Sequence, residues 1–280
     1  MIMLDTATKV LIFIFLASSM FSIGLQVDLP EILAVLKMKY LLTRSLLANF
    51  VIIPVLGLLL SKLIPMPHNI ATVFILLACT PGGISAIQFI SKTKDQEVLA
   101  YAGSIAFIMA ILAIFISPAL AMLFLAKSKI LLVPYMRAFW LLVIFLLLPL
   151  LLGILVHKKY QTIAPKLAKF MAWLGTLTFF TVIIMTLALR QQAIAAIDIK
   201  VIMVMLIFII FTMVIGWLLG GPVKGTRRVL ATVSSMRNVA LCLAIVMNTF
   251  PAANLEAPLI AFSSLMIPPN LIFTIYWLIR

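Results

Sequence analysis

The chain reads as an all-α membrane protein of nine transmembrane helices, and three observations carry that reading. Of its 280 residues, 65% are hydrophobic and only 10% are charged, with a mean hydropathy of +1.30. That is too little polar side chain to cover a water-soluble globule. The apolar residues come in runs of about 20, the length of one helical crossing of the hydrocarbon. These runs lack the two-residue alternation of barrel strands, and a backbone facing lipid must satisfy its own polar groups, which a helix does.

Each run is bounded by charge, proline or glycine. The first, at 8–26, begins within MIMLDTATKV, which has no basic leader and no small-residue cleavage site, so a retained span is expected rather than a signal peptide. The second, 41–63, starts beside Arg44, an interface anchor. The third, 70–92, carries Pro81, Gly82 and Gly83 at its centre. Spans at 98–126, 136–157, 166–189 and 200–220 follow without central interruption. The eighth, 227–249, contains Ser234, Ser235, Met236, Arg237 and Asn238 halfway along, and the ninth, 257–279, contains Pro268, Pro269 and Asn270, the signature of a kink.

Lysine and arginine alternate in density between the two sides of this arrangement. Thirteen fall on one side and seven on the other, and Arg237 completes the total of 21. The richer side is expected to be cytoplasmic, with the N-terminus outside and the C-terminus inside, in a multi-pass cell-membrane protein. A net charge of +14 thus orients helices in a bilayer, and nucleic acid is not an expected partner. Cys79 and Cys242 sit inside apolar runs and suggest neither a disulfide framework nor a metal cluster. All seven acids, Asp5, Asp28, Glu31, Asp95, Glu97, Asp198 and Glu256, fall in loops or at span edges, so no midplane carboxylate waits for a cation. His68 and His157 also lie at span ends, and no catalytic constellation accompanies them. An enzyme is not expected.

Proline and two glycines should break the third span at Pro81–Gly83, freeing carbonyls on one half and amides on the other. The eighth span holds polar residues at the corresponding depth but no proline or glycine, so only those residues argue for a break there. The two spans are five apart, an odd number. A repeat of spans 1–4 as spans 6–9 would therefore insert upside down: a first repeat over 1–126, an unpaired fifth span with its connections over 127–163, and an inverted repeat over 164–280. Inverted repeats with interrupted helices meeting at the midplane are a transporter architecture. A buried guanidinium costs about 3 kcal/mol on insertion scales, so Arg237 needs a partner inside the protein.

FSIGLQVDL, NFVIIP, CTPGGISAIQF, ISPAL and SSMRNVALCLAIV, spread over most of the chain, together resemble the bile acid:sodium symporter family. The resemblance implies core and panel domains, a crossover of two broken helices, and alternating access for organic anions. It also implies a sodium site, whose matching positions here are eroded. The family's Ser-Asn after PGG corresponds to Ala86 and Ile87. The serine and threonine of the fourth span correspond to Ala100 and Ser104, and the glutamine of the second span to Asn49. In the eighth span Val233 stands in place of the family's glutamate, Arg237 in place of a glutamine, and Asn238 remains, with Met236 beside them.

These residues predict a carrier of small organic anions with weakened or absent sodium coupling and no cofactor, its partners being the lipid bilayer and the anion. The substrate and crossover residues are expected to be Pro81, Gly82, Gly83, Ser85, Gln88, Ser234, Ser235, Arg237 and Asn238, with Thr80 capping the half-helix before the break. Arg237 either holds the crossover together through the carbonyls freed at PGG or binds the substrate carboxylate, since guanidinium forks suit both. The alternatives are a sodium-coupled symporter like its relatives, an anion channel, or a non-transporting receptor on the same fold.

Overall fold

A computed structural model describes residues 2–27, 29–82, 85–90, 95–125, 140, 143–189, 197–249 and 255–279. Among these residues all regular secondary structure is helical. Helix α1 spans Ile2–Gly24, α2 Leu29–Lys37 and α3 Lys39–Leu63. Next come α4, His68–Cys79, α5, Ser85–Ile90, and α6, Gln96–Leu125. Helix α7 opens with a π-helical turn over Val143–Leu147 and continues as an α-helix over Leu148–Lys159. The rest are α8, Ala164–Leu189, α9, Ile199–Leu219, α10, Lys224–Ser235, α11, Val239–Thr249, and α12, Glu256–Ile279.

Five helices are long and apolar enough to cross a bilayer: Lys39–Leu63, Glu97–Leu125, Ala164–Met185, Ile199–Leu219 and Glu256–Ile279. Two further predicted spans appear as pairs of shorter helices, α4 with α5 and α10 with α11. The surface carries exposed Leu59, Leu152, Phe170, Phe180, Ile184, Ile207, Phe211 and Ile272, while Arg237 and Asn49 are buried. Apolar side chains outside and polar ones within suit a protein solvated by lipid. Among the described residues the expected break in span 3 lies at Thr80–Gly82, and Gly83 and Ile84 lie outside them. The fifth predicted span is described from Val143 onward, apart from Trp140. Helix α2 has no counterpart among the predicted runs. It is too short to span, and it buries Ile32 and Val35, packing against α6.

Prolines shape the long helices. Both π-helical turns, Ala48–Ile52 in α3 and Val143–Leu147 in α7, lead into a proline, Pro54 and Pro149. A proline leaves the carbonyl four residues earlier without a donor and presses its ring on that turn, and a widened turn absorbs both effects. In α12 the helix is interrupted at Met266, just before Pro268 and Pro269, as the kink expectation required.

Two groups of helices emerge from the packing. Helix α1 lies along α8 and α7, with Phe13 stacked on Phe145 at 4.3 Å and Phe15 on Phe179 at 4.9 Å. Its C-terminal end meets α7 glycine to glycine: a Cβ on Gly24 would run into the carbonyl of Leu150, and one on Gly153 into that of Phe21. Small residues let backbones approach this closely, and in lipid close packing is the main source of helix association. His157 closes the end of this contact, its Nδ1 2.7 Å from the carbonyl of Leu25. The second group centres on three fully buried phenylalanines, Phe74 of α4, Phe208 of α9 and Phe262 of α12. Phe74 lies 4.7 Å from Phe208 and 6.2 Å from Phe262, which fastens the first half of the broken third span to α9 and α12.

Gly153→Leu should therefore lower stability by about 1–3 kcal/mol through overpacking. Gly103 of α6 has nothing within 4 Å of an added Cβ, so Gly103→Ala should be neutral or slightly stabilising. Thermal unfolding followed by tryptophan fluorescence in detergent compares the two.

Candidate functional site

The chain stops being helical at two places that touch each other. Helix α4 ends at Cys79, and Thr80 caps it, its hydroxyl and its own N–H both reaching the Leu77 carbonyl at 3.1 Å. Pro81 and Gly82 follow, both buried. Gly82 has φ +71°, and a Cβ there would come within 2.6 Å of the Met109 Cβ on α6, so backbone conformation and close approach both require glycine. Helix α10 ends at Ser235, where the Met236 N–H bonds to the Thr232 carbonyl at 2.9 Å. Asn238 starts α11 as an N-cap: its Oδ1 accepts from the Leu241 N–H at 3.0 Å, the bond that makes asparagine a preferred cap. The second break is thus made by a capping side chain instead of a proline or glycine. The Asn238 N–H donates to the Thr80 carbonyl at 2.9 Å, joining the two interrupted backbones directly.

Arg237 fills the space between the broken ends. It is 1% exposed, the largest fully buried side chain among the described residues. Its Nε donates to the Leu77 carbonyl at 2.9 Å and one Nη to the Ala78 carbonyl at 2.6 Å. The other Nη donates to Asn49 Oδ1 at 3.1 Å and to the Ser234 carbonyl at 3.2 Å. All four acceptors are neutral oxygens. Three are backbone carbonyls from the last turns of α4 and α10, groups that a helix C-terminus leaves without intrahelical donors and where a positive charge meets the negative end of the helix dipole. Charge-assisted hydrogen bonds of this kind contribute about 1.5–3 kcal/mol each, against a desolvation penalty of several kcal/mol for the buried charge.

Three side chains hold this cluster from outside. Asn49 lies in the π-helical turn of α3, and its Nδ2 donates to Ser234 Oγ at 3.0 Å and to the Ser45 carbonyl at 3.2 Å. Asn270, just after the paired prolines of α12, accepts from Ser235 Oγ at 2.7 Å and donates to the Met266 carbonyl at 2.9 Å. The Met266 sulfur lies 3.3 Å from the Arg237 backbone nitrogen. Sequence reasoning assigned Asn270 only to a kink and passed over Met266. The available signal for Asn270 was a polar residue flanked by apolar ones beside two prolines.

Of the predicted residues, the structure brings together Asn49, Ser234, Ser235, Arg237 and Asn238, with Thr80, Pro81 and Gly82 at the same crossing. Ala86 and Val233 are fully buried and Met236 is buried at the break, all three without a side-chain oxygen. Ala100 and Ser104 sit on α6, half-buried and buried. Gly83 and the side chains of Ser85, Ile87 and Gln88 lie outside the described residues. Asn238 Nδ2 is a buried polar atom at the crossing without a hydrogen-bond partner among the described residues. Among the described residues, no group of three His, Cys, Asp or Glu side chains gathers to hold a metal ion.

Arg237→Leu and Asn49→Leu should each destabilise the protein, because each strands buried partners at about 1–3 kcal/mol apiece. The double variant should lose about 1–3 kcal/mol less than the two single losses together. Equilibrium unfolding in mixed micelles measures this coupling, and simple additivity would break the link between the two residues.

No curated protein matches the chain. The model of the Sodium Bile acid symporter family matches residues 13–197, about two thirds of the sequence, covering α1 through the first break to the end of α8. The second break, with Arg237 and Asn238, lies beyond the matched residues. Helices apolar enough to cross a bilayer, a broken third span and this match agree: the chain belongs to the Sodium Bile acid symporter family, whose members are membrane transporters and not enzymes.

Proposed function

We propose that this protein is a secondary carrier of organic anions that works by alternating access without sodium coupling. The single observation behind the reading is the Arg237 guanidinium, buried at the crossover and already bound to the oxygens that a cation would need. A sodium ion requires several oxygen ligands, ideally an anionic one. The carbonyls of Leu77 and Ala78 and the Oδ1 of Asn49 accept from Arg237 instead. Val233 and Ala86, fully buried, supply no oxygen at the positions where the resemblance implies ligands. A second cation about 4 Å from a guanidinium would be repelled by about 4 kcal/mol at an effective dielectric constant of about 20. The residues present do not fit sodium, and the arginine performs statically the neutralisation that the ion would supply.

The same geometry supports the staple role for Arg237 over direct binding of substrate. With four protein partners it has little left to offer a carboxylate, whereas Asn238 Nδ2 is a buried donor without a partner at the N-terminus of α11, where an anion is favoured. Two further features support the inverted repeat over 1–126 and 164–280. Each broken helix is approached by the preceding span through a glycine: Gly57 of α3 against Ala78, and Gly216 of α9 against Leu230 and Ala231. Helices α7 and α8 both pack on α1, and the three form a panel, while the remaining long helices surround the crossover as a core. The excess of lysine and arginine places the N-terminus outside and the C-terminus in the cytoplasm.

Purified protein in liposomes should take up or exchange a labelled carboxylate equally well in sodium and in choline buffers. A rate several-fold higher in sodium would overturn the reading. A sodium response should be installable: Val233→Glu with Arg237→Gln restores an acid and removes the fixed charge. That double variant should gain thermal stabilisation on adding sodium, absent from the wild type, because a ligand stabilises the state that binds it.

A further inference from the structure

Helix α10 carries a second polar feature at its other end. It begins after Gly220-Gly221-Pro222-Val223, a loop in which Gly221 takes φ +84°. Two side chains of the first turns are spent on holding that loop. The Thr226 hydroxyl reaches the carbonyls of Gly220 at 2.6 Å and Val223 at 2.9 Å, and Arg227 Nε donates to the Gly221 carbonyl at 2.6 Å with its guanidinium 5.8 Å from the Trp217 ring centroid. Among the described residues no side chain caps the helix itself: Val223 at the N-cap makes no side-chain bond, and the first turn contains no acid. The first-turn amides of a helix have no partners within it. Here they share their end with Lys224, Arg227 and Arg228, cations at the positive pole of the helix dipole, the wrong sign for that position.

Arg228 is the informative member of this group. It is 8% exposed, and its Nη2 is buried with no hydrogen-bond partner among the described residues. Gly225, one turn earlier on the same face, meets Val98 of α6, where an added Cβ would stand 2.6 Å from Val98 Cγ2. Side chains on a helix lean toward its N-terminus, so the Arg228 fork is carried back over the uncapped turn. On the α6 side, Asp95 accepts from the N–H groups of Glu97 and Val98 and caps that helix.

We propose that the N-terminal turn of α10 is a phosphate-binding site in which Arg228 and the free first-turn amides of the helix grip a phosphoryl oxyanion, with Lys224 at its mouth. A phosphoryl group offers several acceptor oxygens and negative charge. It would satisfy the orphaned guanidinium nitrogen, the uncapped amides and the misplaced positive charge together, as anions at helix N-termini do. Two sources share this chemistry: a free phosphate or phosphate monoester in the aqueous phase, and the headgroup of an anionic lipid. The surroundings admit both. Exposed Val223, Leu218 and Tyr40, with Trp217 stacked on Trp277 at 5.2 Å, form the aromatic and apolar rim expected where bilayer meets water. Arg228 lies seven residues before the end of α10, roughly 10 Å along the helix, so the site stands apart from the crossover and from the sodium question.

The test is binding, measured by thermal shift on the full chain in a neutral detergent at constant ionic strength. One arm titrates inorganic phosphate against chloride, and the other adds phosphatidylglycerol against phosphatidylcholine. Wild type should be stabilised in at least one arm. A response to inorganic phosphate identifies a soluble ligand, and a response to phosphatidylglycerol alone identifies a lipid headgroup. Arg228→Gln should weaken the apparent affinity at least tenfold, while Lys62→Gln, which removes an exposed cation at the far end of α3, should leave it unchanged. Should Arg228→Gln fail to fold, Lys224→Gln, at an exposed position, should still weaken binding about threefold or more. No stabilisation in either arm, or variants at 228 or 224 that respond as wild type does, would overturn the proposal.

Discussion

Everything at the centre of this protein answers one constraint: a helix that stops inside an apolar interior leaves backbone groups that water cannot reach. Helices α4 and α10 both stop there, and each presents C-terminal carbonyls to a low-dielectric interior. A single guanidinium takes two carbonyls from the first and one from the second. Its planar fork suits this better than an ammonium would, because its donors point in fixed, divergent directions. The charge that makes Arg237 expensive to bury is the same property that lets it neutralise two helix ends. Its cost and its use are inseparable.

The surrounding scaffold can then be almost wholly apolar. Phe74, Phe208 and Phe262 fix α4 against α9 and α12, and glycines bring α3 and α9 against the interrupted helices. Polar side chains that enter the interior do so in register with the crossing. Asn49 comes from a π-helical turn set up by Pro54, and Asn270 from the turn after Pro268 and Pro269. In both cases a proline that disturbs its own helix delivers an amide to the neighbouring break. The prolines of continuous helices and the polar residues of broken ones thus belong to one arrangement.

This coupling explains what could be read from the sequence and what could not. Long uniform runs such as 200–220, found as Ile199–Leu219, are fixed by hydropathy and length alone. The first break was legible because Pro81 and Gly82 act locally. The second was less so, since Asn238 makes a break only where its neighbours allow a cap to replace a helical turn, and the Thr80 carbonyl that receives its N–H lies on another helix. That Arg237 needed an interior partner was clear from its cost. That its partners would be Leu77, Ala78, Asn49 and Ser234 was beyond sequence, because three of the four acceptors are carbonyls, which every residue possesses. Helix α2 escaped notice because nine residues with two buried side chains leave no long periodic pattern.

On the proposed reading, the exchange of a bound ion for a tethered one changes what drives transport. An ion that binds and leaves with the substrate couples carriage to its own gradient, since a ligand shifts a conformational equilibrium only by its differential affinity for the two states. A guanidinium attached to the chain is present in every state and cannot dissociate, so it contributes no such difference. It keeps the crossover intact whether the site is loaded or empty. The empty carrier is then as well formed as the loaded one, and the direction of net movement follows the gradient of the anion itself. What remains to distinguish outward from inward states is the packing of α1, α7 and α8 against the core, carried by the contacts of α1 with α11 and of α8 with α12.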